Sequence, residues 1–216
     1  RAAAPRMLFT FALGSSFFME IAKLRAARLL WARAVQAAGG GAEAQRLASH
    51  GRTSRWNKTV LDPHVNLLRT TTEACAGVIG GCSGLQVGAF DECYRAPDTF
   101  SRRLARNLQI ILQEECQLGA VVDPAGGSWL VESLTRQLAA KAWTLFQEIE
   151  RRGGMAAAIR AGYPQALVEK SAAERIAAVE SRREGVIGTN LHPNLKEKLA
   201  AADPVVAAVR SGAAEA

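Results

Sequence analysis

The chain has 216 residues, of which 49% are hydrophobic, and this is enough to form the core of one ordinary domain. Its formal net charge of +7 comes mostly from arginines scattered along helical segments, without the dense tract or interleaved aromatic residues of a nucleic-acid-binding surface. No run of about 18 apolar residues suggests a membrane span, and the four cysteines include no Cys-x-x-Cys pair that would indicate zinc. We therefore expect no nucleic acid, membrane or metal, and the cysteines suit the reducing cytoplasm.

Short apolar runs alternate with longer segments of helical periodicity along the chain. The short runs predict four strands, at residues 6–14, 46–52, 84–90 and 119–124. A predicted helix follows each strand: from Phe17 to Gly39, from Asp62–Pro63 to Ile79, from Asp98 or Thr99 to Leu112, and from Trp129 to about Arg152. The residues expected to cap the last three helices are Asp62, Asp98 and Asp123.

Strands that alternate with helices indicate a parallel sheet with right-handed crossovers. Two architectures fit this order: an open doubly wound sheet, and four βα units of an eight-fold TIM-type barrel. The chain has neither Gly-x-Gly-x-x-Gly after a strand nor Gly-x-x-x-x-Gly-Lys-Ser/Thr. The phosphate-binding loops typical of nucleotide-binding open sheets are therefore missing, which favours the barrel.

The strand sequences predict a barrel with an unusually polar interior. Alternate residues of a strand face opposite sides, and an ordinary βα barrel fills its centre with bulky branched residues. Small and polar residues here would leave room for a ligand along the axis, although they could also simply hydrogen-bond to one another in a plugged barrel. The residues on this inner face would be Gly84, Gln86, Gly88, His50 and Arg52.

The character of the chain changes after Gly153–Gly154, where two alanine-rich helices precede an extended arm, "LHPNLKEKL". We therefore predict three parts: four βα units at 1–152, a helical extension at 153–185, and an arm and tail at 186–216.

Several long blocks of the sequence resemble one known family. These are "FFMEIAKLRAARLLWA", "DPHVNLLRTTTEA", "AFDE", "FSRRLARNLQIILQEE", "VVDPAGGSWLVESLT" and "GTNLHPN". In this order they are similar to the adenosylcobalamin-dependent methylmalonyl-CoA mutases. The blocks "TSRWNKTVLDPHVN" and "GTNLHPN" look most like the small, β-type subunit of the bacterial heterodimer.

The resemblance implies the C-terminal half of a (β/α)8 barrel, four βα units, followed by a helical extension. In that family the acyl-CoA threads the barrel axis, and a separate C-terminal domain binds the cobalamin. The Asp-x-His-x-x-Gly motif that supplies the lower cobalt ligand does not occur in this chain. The implied cofactor, adenosylcobalamin, would therefore be held mainly outside this chain.

The resemblance also assigns substrate-binding residues. His50 matches a histidine beside the substrate, and Arg6 falls where an arginine approaches the CoA phosphates. Arg52 stands where catalytic chains have a glutamine that contacts the acyl group. We expect Arg52 to pair with a nearby carboxylate and block the pocket. Gln86, on the same predicted face, completes this set.

Three further positions correspond to cofactor contacts. Glu92 matches the carboxylate that holds the adenosyl ribose, and Asp91 stands beside it. Gly88 replaces an asparagine that lies near the adenosine in catalytic chains. No residue is assigned a catalytic role. The family's sequence blocks are retained, but the residues at several ligand-contact positions differ from those of catalytic chains.

The implied function is a small-subunit-like, structural component of methylmalonyl-CoA mutase, an isomerase that interconverts methylmalonyl-CoA and succinyl-CoA. The implied partner is a large catalytic subunit in a heterodimer. Two alternatives stay open: a catalytically competent acyl-CoA mutase fragment with a different substrate preference, and a non-catalytic CoA-binding module.

Overall fold

A computed structural model describes residues 3–197 as a small parallel sheet covered by helices. The strands are β1 (Leu8–Leu13), β2 (Ala48–Thr53) and β3 (Gly84–Gln86), in the order β1-β2-β3. The helices are α1 (Phe17–Ala37), α2 (Val65–Ile79), α3 (Thr99–Ile110), α4 (Trp129–Arg151), α5 (Met155–Arg160) and α6 (Tyr163–Glu180). A 3₁₀ turn, Ala4–Arg6, precedes β1, and a π-helical turn, Ile111–Glu115, extends α3. The α/β class is confirmed, and the arrangement is consistent with part of a barrel.

The register of the sheet aligns the residues of its open face in rows across the strands. Thr10 pairs with His50, and His50 pairs with Gly84. One row further on, Arg52 pairs with Gln86. Paired residues of neighbouring strands point to the same side, so the polar face predicted for the second and third strands is confirmed.

The other face of the sheet packs against α1 and α2. Leu13 of β1 is fully buried there, and small residues let the helix approach the sheet closely. A Cβ atom at Gly77 of α2 would lie 2.6 Å from Leu13 Cδ1, and one at Gly51 would lie 2.7 Å from Cys82 Sγ. Two hydrophobic clusters continue this core, one around Ile21, Ala76, Ala125 and Val131, and one around Ala74, Val87, Ala105 and Leu112.

The strand predicted at 119–124 is absent: this segment is irregular, and three of the four predicted strands form within the described residues. Val122 is 96% exposed. Arg25 of α1 explains the difference, because its guanidinium holds both carboxylate oxygens of Asp123 at 3.0 and 2.9 Å and also binds Glu132 at 2.7 Å. Asp123 has a φ of 49°, which no extended strand allows. The segment is thus fixed to α1.

The predicted third strand is also shorter than expected, ending at Gln86 instead of residue 90. Past this point the backbone N–H of Gly88 donates to the Thr53 hydroxyl at 2.8 Å. A hydrogen bond to a side chain of β2 therefore takes the place of the backbone hydrogen bonds between β2 and β3, and the chain turns away from the sheet.

One of the predicted helix caps is confirmed. Asp98 accepts a hydrogen bond from the Ser101 N–H at 2.8 Å. The predictions for the two other helices are wrong, because His64 and Ser128 occupy the N-cap positions without capping bonds from their side chains. The Asp123 carboxylate is already engaged by Arg25.

The segment predicted as a helical extension contains α5 and α6, and the residues after it contact the α/β unit again. Arg69 donates to the carbonyl of Ile187 at 2.6 Å, and the Glu197 carboxylate accepts from the N–H of Asp62 at 2.8 Å. The rest of the predicted tail lies outside the described residues. No helix in the described part of the chain is both long and apolar enough to cross a membrane.

Candidate functional site

The predicted substrate-binding residues His50, Arg52 and Gln86 lie together on the open face of the sheet, as the register requires. His50 is half-buried and lies beside Gly84 of the next strand. A Cβ atom at Gly84 would lie 3.0 Å from Nδ1 of His50, so the glycine makes room for the imidazole. Gln86, at the end of β3, is exposed.

Arg52 is joined to Glu92 at the carboxyl end of the sheet. Its Nη2 lies 3.3 Å from Oε2 of Glu92, and the Glu92 side chain is 12% exposed. Arg55 donates from its own Nη2 to the backbone carbonyl of Glu92 at 3.4 Å. Two guanidinium groups thus hold Glu92, one at the side chain and one at the backbone.

Glu92 folds back over Gly88. A Cβ atom at Gly88 would overlap Oε1 of Glu92, so this position needs a residue without a side chain. The same Oε1 is buried and makes no hydrogen bond within the described residues, and Nε of Arg52 is in the same state. The ion pair is therefore a single long contact in which each partner keeps a buried polar atom.

Asp91 points elsewhere. Its carboxylate is fully buried, and its Oδ2 accepts from Nε of Arg95 at 2.7 Å. Arg95 also contacts Asp98, the N-cap of α3, at 3.1 Å. Through these two ion pairs of Arg95, Asp91 anchors the loop that precedes α3.

Arg6 lies at the opposite end of the sheet from Glu92. It ends the turn before β1 and is exposed. A six-residue strand rises about 20 Å, so Arg6 and the Arg52–Glu92 pair mark the two ends of the polar face. A long ligand that ran along this face would meet Arg6 first and Glu92 last.

A buried ion pair that the sequence analysis missed fixes the loop after β2. Nζ of Lys58 lies 2.8 and 2.7 Å from the two carboxylate oxygens of Glu73, with both side chains almost fully buried. Burial lowers the pKa of Lys58 and raises that of Glu73, while the attraction between the two charges opposes both shifts. Asn57 also donates to Glu73.

The sequence did carry a signal for this pair. Asn66, Thr70, Glu73 and Gly77 recur at helical spacing, and all four are buried on α2. A carboxylate on a buried helix face needs a partner, because an unpaired buried charge is costly. The pattern did not identify that partner as Lys58, which precedes the helix.

The described residues contain no group of three or more His, Cys, Asp or Glu side chains that could hold a metal ion. A pocket of about 380 Å³ lies between the loop 56–61 and the end of α6 with the residues that follow it, and half of its lining residues are apolar. The indole of Trp56 at its edge is covered by the guanidinium of Arg175, 4.9 Å from the ring centre.

The family described as methylmalonyl-CoA mutase matches residues 1–213. The chain belongs to the methylmalonyl-CoA mutase family. It is 45% identical over 196 residues to the methylmalonyl-CoA mutase small subunit of Porphyromonas gingivalis, covering 90% of this chain and 32% of that protein. It is 47% identical over 188 residues to the methylmalonyl-CoA mutase of Rhizobium meliloti, covering 87% of this chain and 26% of that protein.

The large subunit of the Porphyromonas gingivalis mutase is almost as similar, with 44% identity over 203 residues, 94% of this chain and 28% of that protein. Identity alone therefore does not separate the two subunit types. The chain spans about a third or less of the length of these mutases.

The three residues that the resemblance assigned to adenosylcobalamin do not fit the adenosyl group as they stand. Gly88 has no side chain to offer, and Asp91 is paired with Arg95. Glu92 gives one oxygen to Arg52, and its other oxygen is buried against Gly88. The site therefore presents no open polar side chain to a ribose from these positions.

Proposed function

We propose that this chain belongs to a small-subunit-like component of methylmalonyl-CoA mutase that has a structural role. The complete enzyme would be a cytoplasmic heterodimer that interconverts methylmalonyl-CoA and succinyl-CoA by a radical rearrangement. Adenosylcobalamin would serve the large subunit. Support for the partnership comes from Porphyromonas gingivalis, in which one protein similar to this chain is named a small subunit and another a large subunit.

The contact between Arg52 and Glu92 carries this proposal. Glutamine, the residue of catalytic relatives at position 52, is neutral and both donates and accepts hydrogen bonds. Arginine is longer, permanently charged and only donates. In this chain it lies 3.3 Å from the carboxylate that would hold the ribose. Arginine in place of glutamine at position 52 would thus remove the contact to the acyl group, and it would also engage the carboxylate of Glu92 that would otherwise contact the ribose.

The rest of the polar face retains features of an acyl-CoA channel. His50 and Gln86 would line it, and Arg6 would lie near the CoA phosphates at the amino end of β1. These residues are consistent with descent from a ligand-binding barrel. They would not restore chemistry, since radical catalysis needs the cofactor's reactive atom positioned against the substrate.

Co-purification tests the proposal. The full-length protein that contains this chain should be isolated from its native host under mild conditions, and its native mass and bound cofactors measured. We expect a heterodimer with a larger mutase subunit, with turnover that requires both subunits. Isolation of this protein alone with bound cobalamin and turnover would favour a competent mutase. A monomer that retains CoA would favour the binding module.

A further inference from the structure

The pocket beside α6 lies outside the polar face of the sheet. Its volume of about 380 Å³ is at the lower end of the range for small-molecule sites, roughly 300–1,000 Å³. None of the residues assigned to acyl-CoA or cobalamin lines it. The proposed mutase role therefore does not use this pocket. Its apolar lining residues are Trp56, Val60, Leu61, Ile176, Val179 and Val186.

The loop side of the pocket is held by two residues of α2 that do not line it. The buried carboxylate of Glu73 accepts hydrogen bonds from Asn57 and Lys58. Asn66 accepts from the N–H of Thr59 at 3.1 Å and donates to the carbonyl of Thr59 at 2.9 Å. Because these bonds involve only the protein, this wall is formed before any ligand binds.

The opposite side of the pocket is held in the same way by Asn190, which also does not line it. Its Nδ2 donates to the carbonyls of Val179 and Glu184, both at 2.9 Å, and its Oδ1 accepts from the N–H of Val186 at 2.6 Å. A ligand that enters a pocket with fixed walls has little protein ordering to offset, which favours binding.

Two side chains of the pocket keep apolar surface uncovered. Trp56 is 46% exposed and Ile176 is 47% exposed. The guanidinium of Arg175 lies over the indole of Trp56, 4.9 Å from the ring centre, and is held there by Glu184 at 3.5 Å. The remaining surface of the indole and the side chain of Ile176 can therefore receive a hydrocarbon or aromatic group.

The polar lining of the pocket leaves one carboxylate free, although the chain as a whole has a net charge of +7. Glu180 and Glu184 both line the pocket, and Glu184 is paired with the arginine over the indole. Lys58 is the one basic lining residue, and the buried Glu73 matches its charge. The Glu180 side chain makes no hydrogen bond or ion pair with residues 3–197. The arginines at 182–183, which follow α6, do not line the pocket.

We propose that this pocket binds a small organic ammonium ion with an aromatic or hydrocarbon body. The ammonium group donates hydrogen bonds to the carboxylate of Glu180, and the body lies against Trp56 and Ile176. Burial of the body supplies most of the affinity, and the carboxylate selects the charge. A neutral molecule of the same shape loses the charge contact, and an anion is repelled.

The probe is 2-phenylethylammonium, with 2-phenylethanol and 3-phenylpropanoate as neutral and anionic counterparts of similar shape. Tryptophan fluorescence of the full-length protein is measured during titration with each compound. We expect saturable binding of the ammonium ion, about threefold tighter than the alcohol, as for an exposed ion pair, and no saturation with the anion. The fluorescence change should vanish in Trp56→Phe and persist in Trp129→Phe, the control, whose indole is outside the pocket.

Calorimetric titration of variants then separates the charged and apolar parts of the site. Glu180→Gln should weaken the ammonium ion about threefold and leave the alcohol unchanged. Glu174→Gln, on α6 outside the pocket, is the matched control and should change neither. Ile176→Ala should weaken both compounds, because it removes apolar contact area.

Several results would overturn the proposal. One is the absence of saturable binding by the ammonium ion, which is expected if another part of the protein or a partner subunit fills the pocket. Others are equal or tighter binding of the alcohol or the anion, equal effects of Glu180→Gln and Glu174→Gln, unchanged affinities in Ile176→Ala, and a fluorescence change that persists in Trp56→Phe.

Discussion

Arg52 and Glu92 lie 40 residues apart in the sequence and meet at the carboxyl end of the sheet, with Nη2 of the arginine 3.3 Å from Oε2 of the glutamate. Arg52 is 35% exposed and Glu92 only 12%. The contact is long and single, so its contribution to stability should be small, although it engages the carboxylate that we propose as the counterpart of the ribose contact.

Glu92→Gln should lower the free energy of unfolding by about 1 kcal/mol, the upper end for pairs of this exposure. Glutamine keeps the shape of the side chain and still accepts from Arg52, which limits the loss. Urea denaturation of the full-length protein measures it, with Glu115→Gln as the exposed control. A loss of several kcal/mol would show instead that Glu92 is an essential structural partner of Arg52.

The Lys58–Glu73 pair should contribute much more to stability than the Arg52–Glu92 pair. Both side chains are almost fully buried, so Lys58→Met leaves an uncompensated carboxylate in the interior and should cost about 3–5 kcal/mol. Adding Glu73→Gln should recover part of this loss. Arg151→Met, which breaks an exposed pair with Glu148, is the control and should change stability by less than about 1 kcal/mol. Equal effects in both pairs would contradict this interpretation.

Asp98 should give the fold a measurable dependence on pH. The hydrogen bond from the Ser101 N–H holds the pKa of this carboxylate below its ordinary value. A group whose pKa is lowered by folding stabilises the fold above its unfolded pKa, about 3.9, and the benefit is lost as the pH falls through the folded pKa. Melting temperatures of the wild type and Asp98→Ala should therefore differ at pH 7 and converge at low pH, whereas Glu43→Ala should match the wild type throughout. A difference that persists unchanged at low pH would contradict the assignment.

The 216-residue chain by itself should not be a stable compact monomer. Among residues 3–197 the sheet has three strands, with open edges at β1 and β3, and no further strand that could lie opposite its polar face. Open edges pair readily with other strands, and a complete barrel needs eight strands. Sedimentation at micromolar concentration should reveal association or poor folding. A compact monomer with a sharp melt would favour an open sheet.

The sequence predicted those features that depend on local pattern. The alternation in β2 placed His50 and Arg52 on one face, and the register confirms it. The prediction of a strand at 119–124 was wrong because Arg25, 98 residues away in the chain, binds Asp123. A pattern confined to a short window contains no information about such a contact.

The same limit applies to the candidate site. Arg52 was expected to find a carboxylate, and the partner is Glu92, while Asp91 pairs with Arg95. Adjacent residues on a turn point in different directions, and only the fold decides which one faces the sheet. Lys58 was missed because its partner lies 15 residues further on, in a helix whose buried stripe is otherwise small or uncharged.

The most direct test of the proposed structural role is turnover by a heterodimer whose large subunit has been inactivated by mutation at its own site. The intact heterodimer, as the control, should convert methylmalonyl-CoA to succinyl-CoA and give a radical signal by electron paramagnetic resonance. With the large subunit inactivated, we predict that the complex still assembles and shows neither conversion nor a radical signal. Conversion or a substrate-dependent radical in that complex would mean that this chain's own barrel is catalytic, and would contradict the account.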